Sequence, residues 1–155
     1  MDSRFKDLVD GLGMKFQQLV GMEPVRISSL PKVMPERGIY LFSEGDMHLY
    51  VGRTNRLRRR LRDHARSGSG HNMATFAFRV ARHETGLVKA TYTSRGSRKA
   101  LELDDAFGPV FIAAKLRLSS MEIRFVEEQD PLRQALLEMY TAVVLRTPFN
   151  DFENH

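Results

Sequence analysis

Two short segments rich in β-branched and aromatic residues, 39–42 and 47–51, constrain the fold of this chain most. They flank Ser43-Glu44-Gly45-Asp46, a polar, glycine-containing tetrapeptide of the kind that reverses the direction of a chain. The pattern predicts a β-hairpin. Its turn sets the register, and the register decides which side chains face each other.

The predicted register brings two tyrosines together. With Gly45 at the centre of the turn, Tyr40 lies opposite Tyr50 on one face, and the two hydroxyl groups stand side by side. A slip of one residue would separate them, so the register is a testable expectation. The other predicted pairs are Ile39 with Val51, Leu41 with Leu49 and Phe42 with His48.

Apolar residues at helical spacing predict helices before and after the hairpin. The first covers 3–20, with Asp2 or Ser3 as its cap. The last begins at Asp130-Pro131, where aspartate caps the helix and proline occupies its first turn, and it ends near Arg146. Between them we expect helices from Asn55 to Ala65, over 73–81 after the Ser67-Gly68-Ser69-Gly70 break, and over 98–118 with a restart at Gly108-Pro109.

A third strand completes the predicted sheet. Residues 121–125 alternate apolar and charged side chains, which places Met121, Ile123 and Phe125 on one face. We therefore expect an α/β fold with a small, mainly antiparallel three-stranded sheet covered by helices. The strands lie at about 38–43, 47–52 and 121–127 in a single domain over 1–155, which has an N-terminal helix and linker at 1–37 and a helical insert at 72–118.

Arginines are concentrated in the segment that follows the hairpin. Seven arginines and one acidic residue, Asp63, lie between positions 53 and 66, in a chain of net charge +5. Guanidinium groups bind phosphates through paired hydrogen bonds, so this density favours a nucleic-acid ligand, although a solvated helix face has a similar composition. In the predicted helix, Arg56, Arg60 and His64 share one face.

One carboxylate stands in an otherwise apolar helix. Glu138 is the only charged residue between Ala135 and Leu145. A buried carboxylate without a partner costs several kcal/mol, so this residue requires a cation or a set of hydrogen-bond donors. A divalent metal ion and a structural salt bridge to an arginine both meet that requirement.

Gly38-Ile39-Tyr40 and, ten residues later, Tyr50-Val51-Gly52 resemble the motif pair of the GIY-YIG nuclease superfamily. That family has an arginine ten residues after the second tyrosine, a histidine four residues further on, a glutamate on a helix and an asparagine after that helix. The resemblance covers 38–64 and 121–150. The residues in these places are Arg60, His64, Glu138 and Asn150.

The resemblance implies metal-dependent hydrolysis of DNA phosphodiester bonds. It implies that Glu138 binds one divalent ion, Mg²⁺ or Mn²⁺, since these ions prefer oxygen ligands and retain water molecules. Tyr50 would act on the attacking water as general base or orienting group, with Tyr40 as its hydrogen-bonded companion, and which of the two takes the proton stays open. Arg60 would grip the scissile phosphate, while His64 would orient Arg60 or Tyr40, or donate to a phosphate oxygen.

Other polar residues are expected to support binding. Asn150 is expected to position the backbone or Glu138, and Arg53, directly after the second motif, to add a phosphate contact. The N-terminal helix and the insert are the candidate recognition elements. Contacts with the flanking DNA backbone are expected from Arg56, Arg58, Arg59 and Arg62.

Two other functions fit the same residues: a non-catalytic nucleic-acid-binding module and an RNA-cutting nuclease. The carboxylate within an apolar helix argues against a pure binding module. No apolar run approaches the roughly 20 residues of a membrane span. The chain has no cysteine and lacks a secretory signal at its N-terminus, which together predict a cytoplasmic protein.

Overall fold

The structure, a computed structural model, describes residues 1–86, 101 and 105–152. These residues form two compact units. The first unit contains Met1–Arg59 and Met121–Asn150, and the second contains the described residues of Arg60–Ser120 together with Asp151 and Phe152. The single domain over the whole chain stays a prediction.

The first unit contains a three-stranded antiparallel sheet. Strand β1 covers Gly38–Glu44, β2 covers Met47–Thr54 and β3 covers Glu122–Glu127. The order is β2-β1-β3, so β1 is central and β2 is an edge strand. The predicted α/β fold, with a small antiparallel sheet flanked by helices, is confirmed.

The register of the hairpin differs from the predicted one. Tyr40 lies opposite Gly52, and Tyr50 lies opposite Phe42. The turn contains only the two residues Gly45-Asp46, and a bulge follows Phe42, so each of these features shifts the pairing by one position. A total shift of two preserves the faces of the hairpin, because side chains alternate along a strand. Both tyrosines therefore still share a face.

Helices account for most of the other described residues. The break in the predicted N-terminal helix lies at Gly11, whose φ of +89° is a left-handed conformation that glycine adopts readily, so the single helix predicted over 3–20 is wrong. Asp2 caps the first helix, as predicted, by accepting a 3.0 Å hydrogen bond from the Phe5 N–H. The helices are α1 (Ser3–Val9), α2 (Leu12–Gly21), α3 (Leu57–Ala65), α4 (Thr75–Thr85), α5 (Phe107–Ser119) and α6 (Pro131–Leu145), with a 3₁₀ turn at Ile27–Ser29.

The core of the first unit lies between one face of the sheet and helices α2 and α6. Ile39, Leu41 and Val51 pack with Leu19 of α2 and Leu137 of α6, and all five are almost fully buried. Burying each such side chain contributes about 1.5–3 kcal/mol. This core uses one face of the hairpin and leaves Tyr40 and Tyr50 on the other.

The predicted helix ends are partly confirmed. Asp130 caps α6, as predicted, because its Oδ1 accepts hydrogen bonds of 2.8 and 2.9 Å from the next two free backbone N–H groups. The predicted start of the arginine helix at Asn55 is wrong, since α3 begins at Leu57. Thr54 instead accepts a 3.0 Å hydrogen bond from the Arg56 N–H.

The second unit has an aromatic core between α4 and α5. Phe78 of α4 contacts Phe107 and Phe111 of α5, with ring centroids 5.0 and 5.5 Å apart. The helix predicted over 73–81 is present as α4, but it begins at Thr75 and continues to Thr85, so Met73 lies outside it. The rest of the predicted apolar stripe is buried in α4. The restart at Gly108-Pro109 is confirmed as the first turn of α5, whereas most of 98–106 lies outside the described residues. Within the described ranges, no helix has the length and apolar character that crossing a membrane requires.

Candidate active site

The two motif tyrosines and the second motif glycine form one packed group. The rings of Tyr40 and Tyr50 are tilted by 47°, with centroids 6.4 Å apart. The Tyr40 ring passes over Gly52, where an added Cβ would lie 2.2 Å from the Tyr40 hydroxyl oxygen. Side-chain atoms never approach this closely, so the second motif needs glycine opposite the tyrosine of the first.

Gly38, the glycine of the first motif, is also required for a steric reason. A Cβ added at Gly38 would lie 2.0 Å from the carbonyl oxygen of Val126 on β3. Because the obstacle is backbone rather than a movable side chain, no larger residue fits there without separating β1 from β3. Gly38 therefore fixes the close approach of the two strands at the start of the motif.

Glu138 extends from α6 to the end of β2. Its Oε2 lies 2.7 Å from Nε of Arg53, and the side chains of Arg53 and Glu138 are 50% and 22% exposed. The sequence indicated that the Glu138 carboxylate requires a partner, and a charge-assisted hydrogen bond of this length provides one. The partner is the arginine directly after the second motif.

Asn150 binds the backbone of β2. Its Oδ1 accepts a 2.9 Å hydrogen bond from the Val51 N–H, and its Nδ2 donates one of 2.8 Å to the Val51 carbonyl. Thr147 donates a 2.7 Å hydrogen bond to the same Oδ1. The side-chain amide thus replaces a missing neighbour strand at this edge of the sheet, next to Tyr50.

Four consecutive residues of β2 each contact one other motif or candidate residue. Tyr50 and Gly52 contact Tyr40, Val51 contacts Asn150, and Arg53 contacts Glu138. The side chains of Tyr50 and Arg53 lie on opposite faces of β2, because side chains alternate along a strand and these two residues are an odd number of positions apart. Since β2 is an edge strand, groups on both faces border the same edge of the sheet.

Arg60 and His64 belong to the second unit. Arg60 donates from one terminal nitrogen to the Met73 carbonyl at 2.8 Å and from the other to Thr75 Oγ1 at 3.0 Å. His64 is fully buried, and this burial, together with the neighbouring Arg60 charge, holds its pKa well below 6.5. A neutral, enclosed imidazole is suited to orienting Arg60 and unsuited to contacting a phosphate.

The other arginines of the cluster differ in their surroundings. Arg58 donates from one nitrogen to the carbonyls of Pro31 and Lys32, the latter at 3.0 Å, so it joins α3 to the preceding connection. Arg56 and Arg59, which are exposed, line a cavity of about 560 Å³ together with Arg58 and Lys32. In the second unit, the side chain of Arg62 is exposed.

Sequence reasoning missed some residues of these arrangements. Gly38 and Gly52 were used only as motif letters, although their lack of a side chain is what the packing needs. The hydroxyl groups of Thr75 and Thr147 had no recognisable signal, because a threonine near a helix end is usually a local cap. The position of Lys32 as the only cation between Pro31 and Pro35 is a weak indication that it lines the cavity beside the arginines.

Residues 36–103 match the family described as the GIY-YIG catalytic domain. Over this segment the chain is similar to a GIY-YIG catalytic domain. The match includes Tyr40, Tyr50, Arg60 and His64, and it ends before Glu138 and Asn150. No curated protein and no solved structure matches the chain significantly.

The GIY-YIG catalytic domain is the domain of a nuclease family, and the match indicates endonuclease activity. GIY-YIG nucleases act on DNA and generally depend on divalent metal ions. The resemblance read from the two motifs is therefore confirmed. The individual roles given to the residues stay predictions.

Proposed function

We propose that this GIY-YIG protein is an endonuclease that hydrolyses DNA phosphodiester bonds with the help of one divalent ion, Mg²⁺ or Mn²⁺. The proposal is carried by β2, whose residues Tyr50–Arg53 contact Tyr40, Asn150 and Glu138 in turn. The fold thereby attaches a phenol pair, a backbone clamp and a carboxylate to one edge strand. These are groups that phosphodiester hydrolysis can use.

Glu138 is proposed to hold the metal ion. Within the described part of the chain, no group of three or more His, Cys, Asp or Glu side chains could hold an ion. A single carboxylate fits Mg²⁺ or Mn²⁺, which keep water ligands and accept substrate phosphate oxygens, and does not fit the tetrahedral nitrogen and sulfur sites of zinc. When bound, the ion would polarise the phosphate and activate a water molecule.

Tyr50 is proposed to handle the proton of the attacking water. Its side chain retains some exposure, at 7%, whereas Tyr40 is 1% exposed and covers Gly52. We therefore assign the proton step to the more accessible phenol, and Tyr40 is proposed to position Tyr50 through ring contact. Asn150 is proposed to position the same residue from the backbone side, through Val51.

The cationic residues divide into two proposed roles. Arg60 donates to the scissile phosphate, oriented by the neutral His64 beside it. Arg56, Arg59 and Arg62 hold the flanking DNA backbone. The side chains of Arg56, Arg59 and Arg62 are exposed and therefore accessible to a strand, whereas that of Arg58 is held by two backbone carbonyls.

Cleavage of supercoiled plasmid, linear duplex and RNA, with Mg²⁺, with Mn²⁺ and with chelator, tests this function. Glu138→Gln should abolish metal-dependent cutting and retain the fold, because the half-exposed Arg53 stays hydrated without its partner. Glu127→Gln, an exposed carboxylate on β3, is the matched control. Cutting by Glu138→Gln at the parental rate would refute the metal assignment, and cleavage of RNA alone would refute the choice of DNA.

Tyr50→Phe tests the proton step. It should slow single-turnover cleavage by roughly a hundredfold or more with little change in DNA affinity, since the hydroxyl acts mainly in the transition state. Tyr140→Phe, which removes a partly exposed hydroxyl from α6, is the control. DNA binding without any cleavage by the parent protein would identify a binding module instead.

A further inference from the structure

The guanidinium group of Arg60 is fixed at two points by residues of the predicted insert. One terminal nitrogen donates to the Met73 carbonyl at 2.8 Å, and the other donates to Thr75 Oγ1 at 3.0 Å. Two hydrogen bonds from different nitrogens set both the position and the plane of a rigid, planar fork. An unrestrained arginine would instead sample many rotamers.

These contacts leave most of the guanidinium available. Arginine has five N–H donors, and among the described residues only Met73 and Thr75 accept a hydrogen bond from Arg60. The described part of the chain therefore leaves three donors for an external anion. The side chain is partly exposed, which allows such an anion to reach it.

Thr75 is placed for this contact rather than for capping its own helix. It is the first residue of α4, and the preceding Ala74 at the cap position makes no side-chain hydrogen bond. Serine or threonine at the start of a helix usually binds the free backbone N–H groups of its first turn. Here the hydroxyl turns to Arg60, so its removal takes no cap away from α4.

The segment that carries both acceptors is itself held by a buried lysine. Nζ of Lys115, which is 4% exposed, donates to the carbonyls of Ser67 and Ser69 at 2.7 and 2.8 Å. The Gly70 carbonyl then accepts hydrogen bonds from the N–H groups of Met73 and Ala74, at 3.1 and 2.9 Å. The connection between α3 and α4 is thereby fixed along its length, as a support for a functional side chain must be.

We propose that Thr75 is a positioning residue for Arg60, and that the insert therefore contributes to the chemistry of the domain as well as to its size. The proposal rests on the proposed role of Arg60 at the scissile phosphate. Holding a donor in one orientation lowers the barrier only if that donor acts on the reacting group. The role of Thr75 is therefore visible only through Arg60.

Thr75→Val removes the hydroxyl and keeps the shape of the side chain, while Thr75→Ser keeps the hydroxyl and serves as the matched control. We expect Thr75→Val to slow single-turnover cleavage at saturating DNA by about ten- to a hundredfold, the cost typical of a misplaced catalytic group. DNA affinity and the circular dichroism spectrum should stay unchanged. Thr75→Ser should cleave at nearly the parental rate.

A double-mutant cycle separates positioning from a general structural effect. In an Arg60→Ala background, Thr75→Val should cause no further loss of rate, because there is no guanidinium left to orient. A full additional loss in that background, or a parental rate for Thr75→Val alone, would overturn the proposal. A parental rate for Arg60→Ala would refute the phosphate role of Arg60 and the positioning proposal together.

Nuclear magnetic resonance of the Arg60 guanidinium provides a readout that does not require cleavage. Slow rotation of the terminal nitrogens is expected in the parent and in Thr75→Ser, and faster rotation in Thr75→Val. The resonance that is absent from the spectrum of Arg60→Ala is assigned to Arg60. Equal rotation rates in the parent and in Thr75→Val would show that the hydroxyl does not hold the group, whatever the nuclease assays give.

Discussion

Gly52→Ala tests the packing that joins the two sequence motifs. The added Cβ would lie 2.2 Å from the hydroxyl oxygen of Tyr40, 2.3 Å from Cζ and 2.8 Å from Cε2. Tyr40 is 1% exposed, so its ring has no open space into which it can move. A single methyl group must therefore displace either the ring or strand β2.

The expected sign of the change is opposite to that of an ordinary glycine replacement. Alanine in a strand without steric conflict would stabilise the fold by about 0.5–1 kcal/mol, because glycine loses more conformational freedom on folding. Overpacking a buried site costs about 1–3 kcal/mol. The three short contacts at Gly52 make the second effect larger, so we expect a net loss of about 1–2 kcal/mol in the free energy of unfolding.

Urea unfolding monitored by circular dichroism measures this loss, and Gly13→Ala is the matched control. A Cβ at Gly13 meets nothing within 4 Å, so alanine there should stabilise helix α2 by roughly 0.5–1 kcal/mol. In a Tyr40→Leu background, Gly52→Ala should lose most of its cost, because the obstructing ring is gone. A Gly52→Ala protein more stable than the parent would refute the proposed ring position.

Three further predictions concern single contacts. Arg53→Ala should tighten Mn²⁺ binding to the DNA-free protein by up to about fivefold, because the metal no longer has to displace an exposed ion pair from Glu138. Electron paramagnetic resonance measures the binding, and weaker binding by the variant would contradict the prediction. Asn150→Ala should lower the free energy of unfolding by about 1–3 kcal/mol, because two hydrogen bonds to the Val51 backbone are lost; an unchanged free energy in urea unfolding would contradict the clamp. The parent should lose stability as the pH falls below 6.5, because His64 of the unfolded chain then binds a proton that the buried His64 of the folded protein does not. In urea unfolding at several pH values, the free energy of unfolding of His64→Gln should depend less steeply on pH, and an equal dependence would contradict the burial of His64.

Local signals in the sequence predicted the elements of the fold well. The hairpin, the third strand, the caps at Asp2 and Asp130 and the apolar stripe of α4 all follow from periodicity and capping over a few residues. These signals are reliable because the free energies behind them arise between neighbours in the chain. The break at Gly11 was missed because a glycine within an apolar stripe is compatible with both a continuous helix and a break.

The register of the hairpin required the tertiary structure. Turns of two or three residues and a single bulge differ little in local free energy, so the sequence of the turn does not choose between them. The choice is made where Tyr40 passes over Gly52 and where Asn150, distant in sequence, binds Val51 at the sheet edge. Long-range packing thus decided which residue faces the first tyrosine.

The sequence by itself determined that this chain has the two motifs, a cluster of arginines and one carboxylate in an apolar helix, because these are properties of composition and spacing. Only the tertiary structure decided what each arginine contacts: Arg53 pairs with Glu138, Arg58 binds backbone carbonyls, and Arg60 binds Thr75. The side chains are long and chemically identical. Their partners depend on which acceptors the fold brings within reach, and no pattern along the chain carries that information.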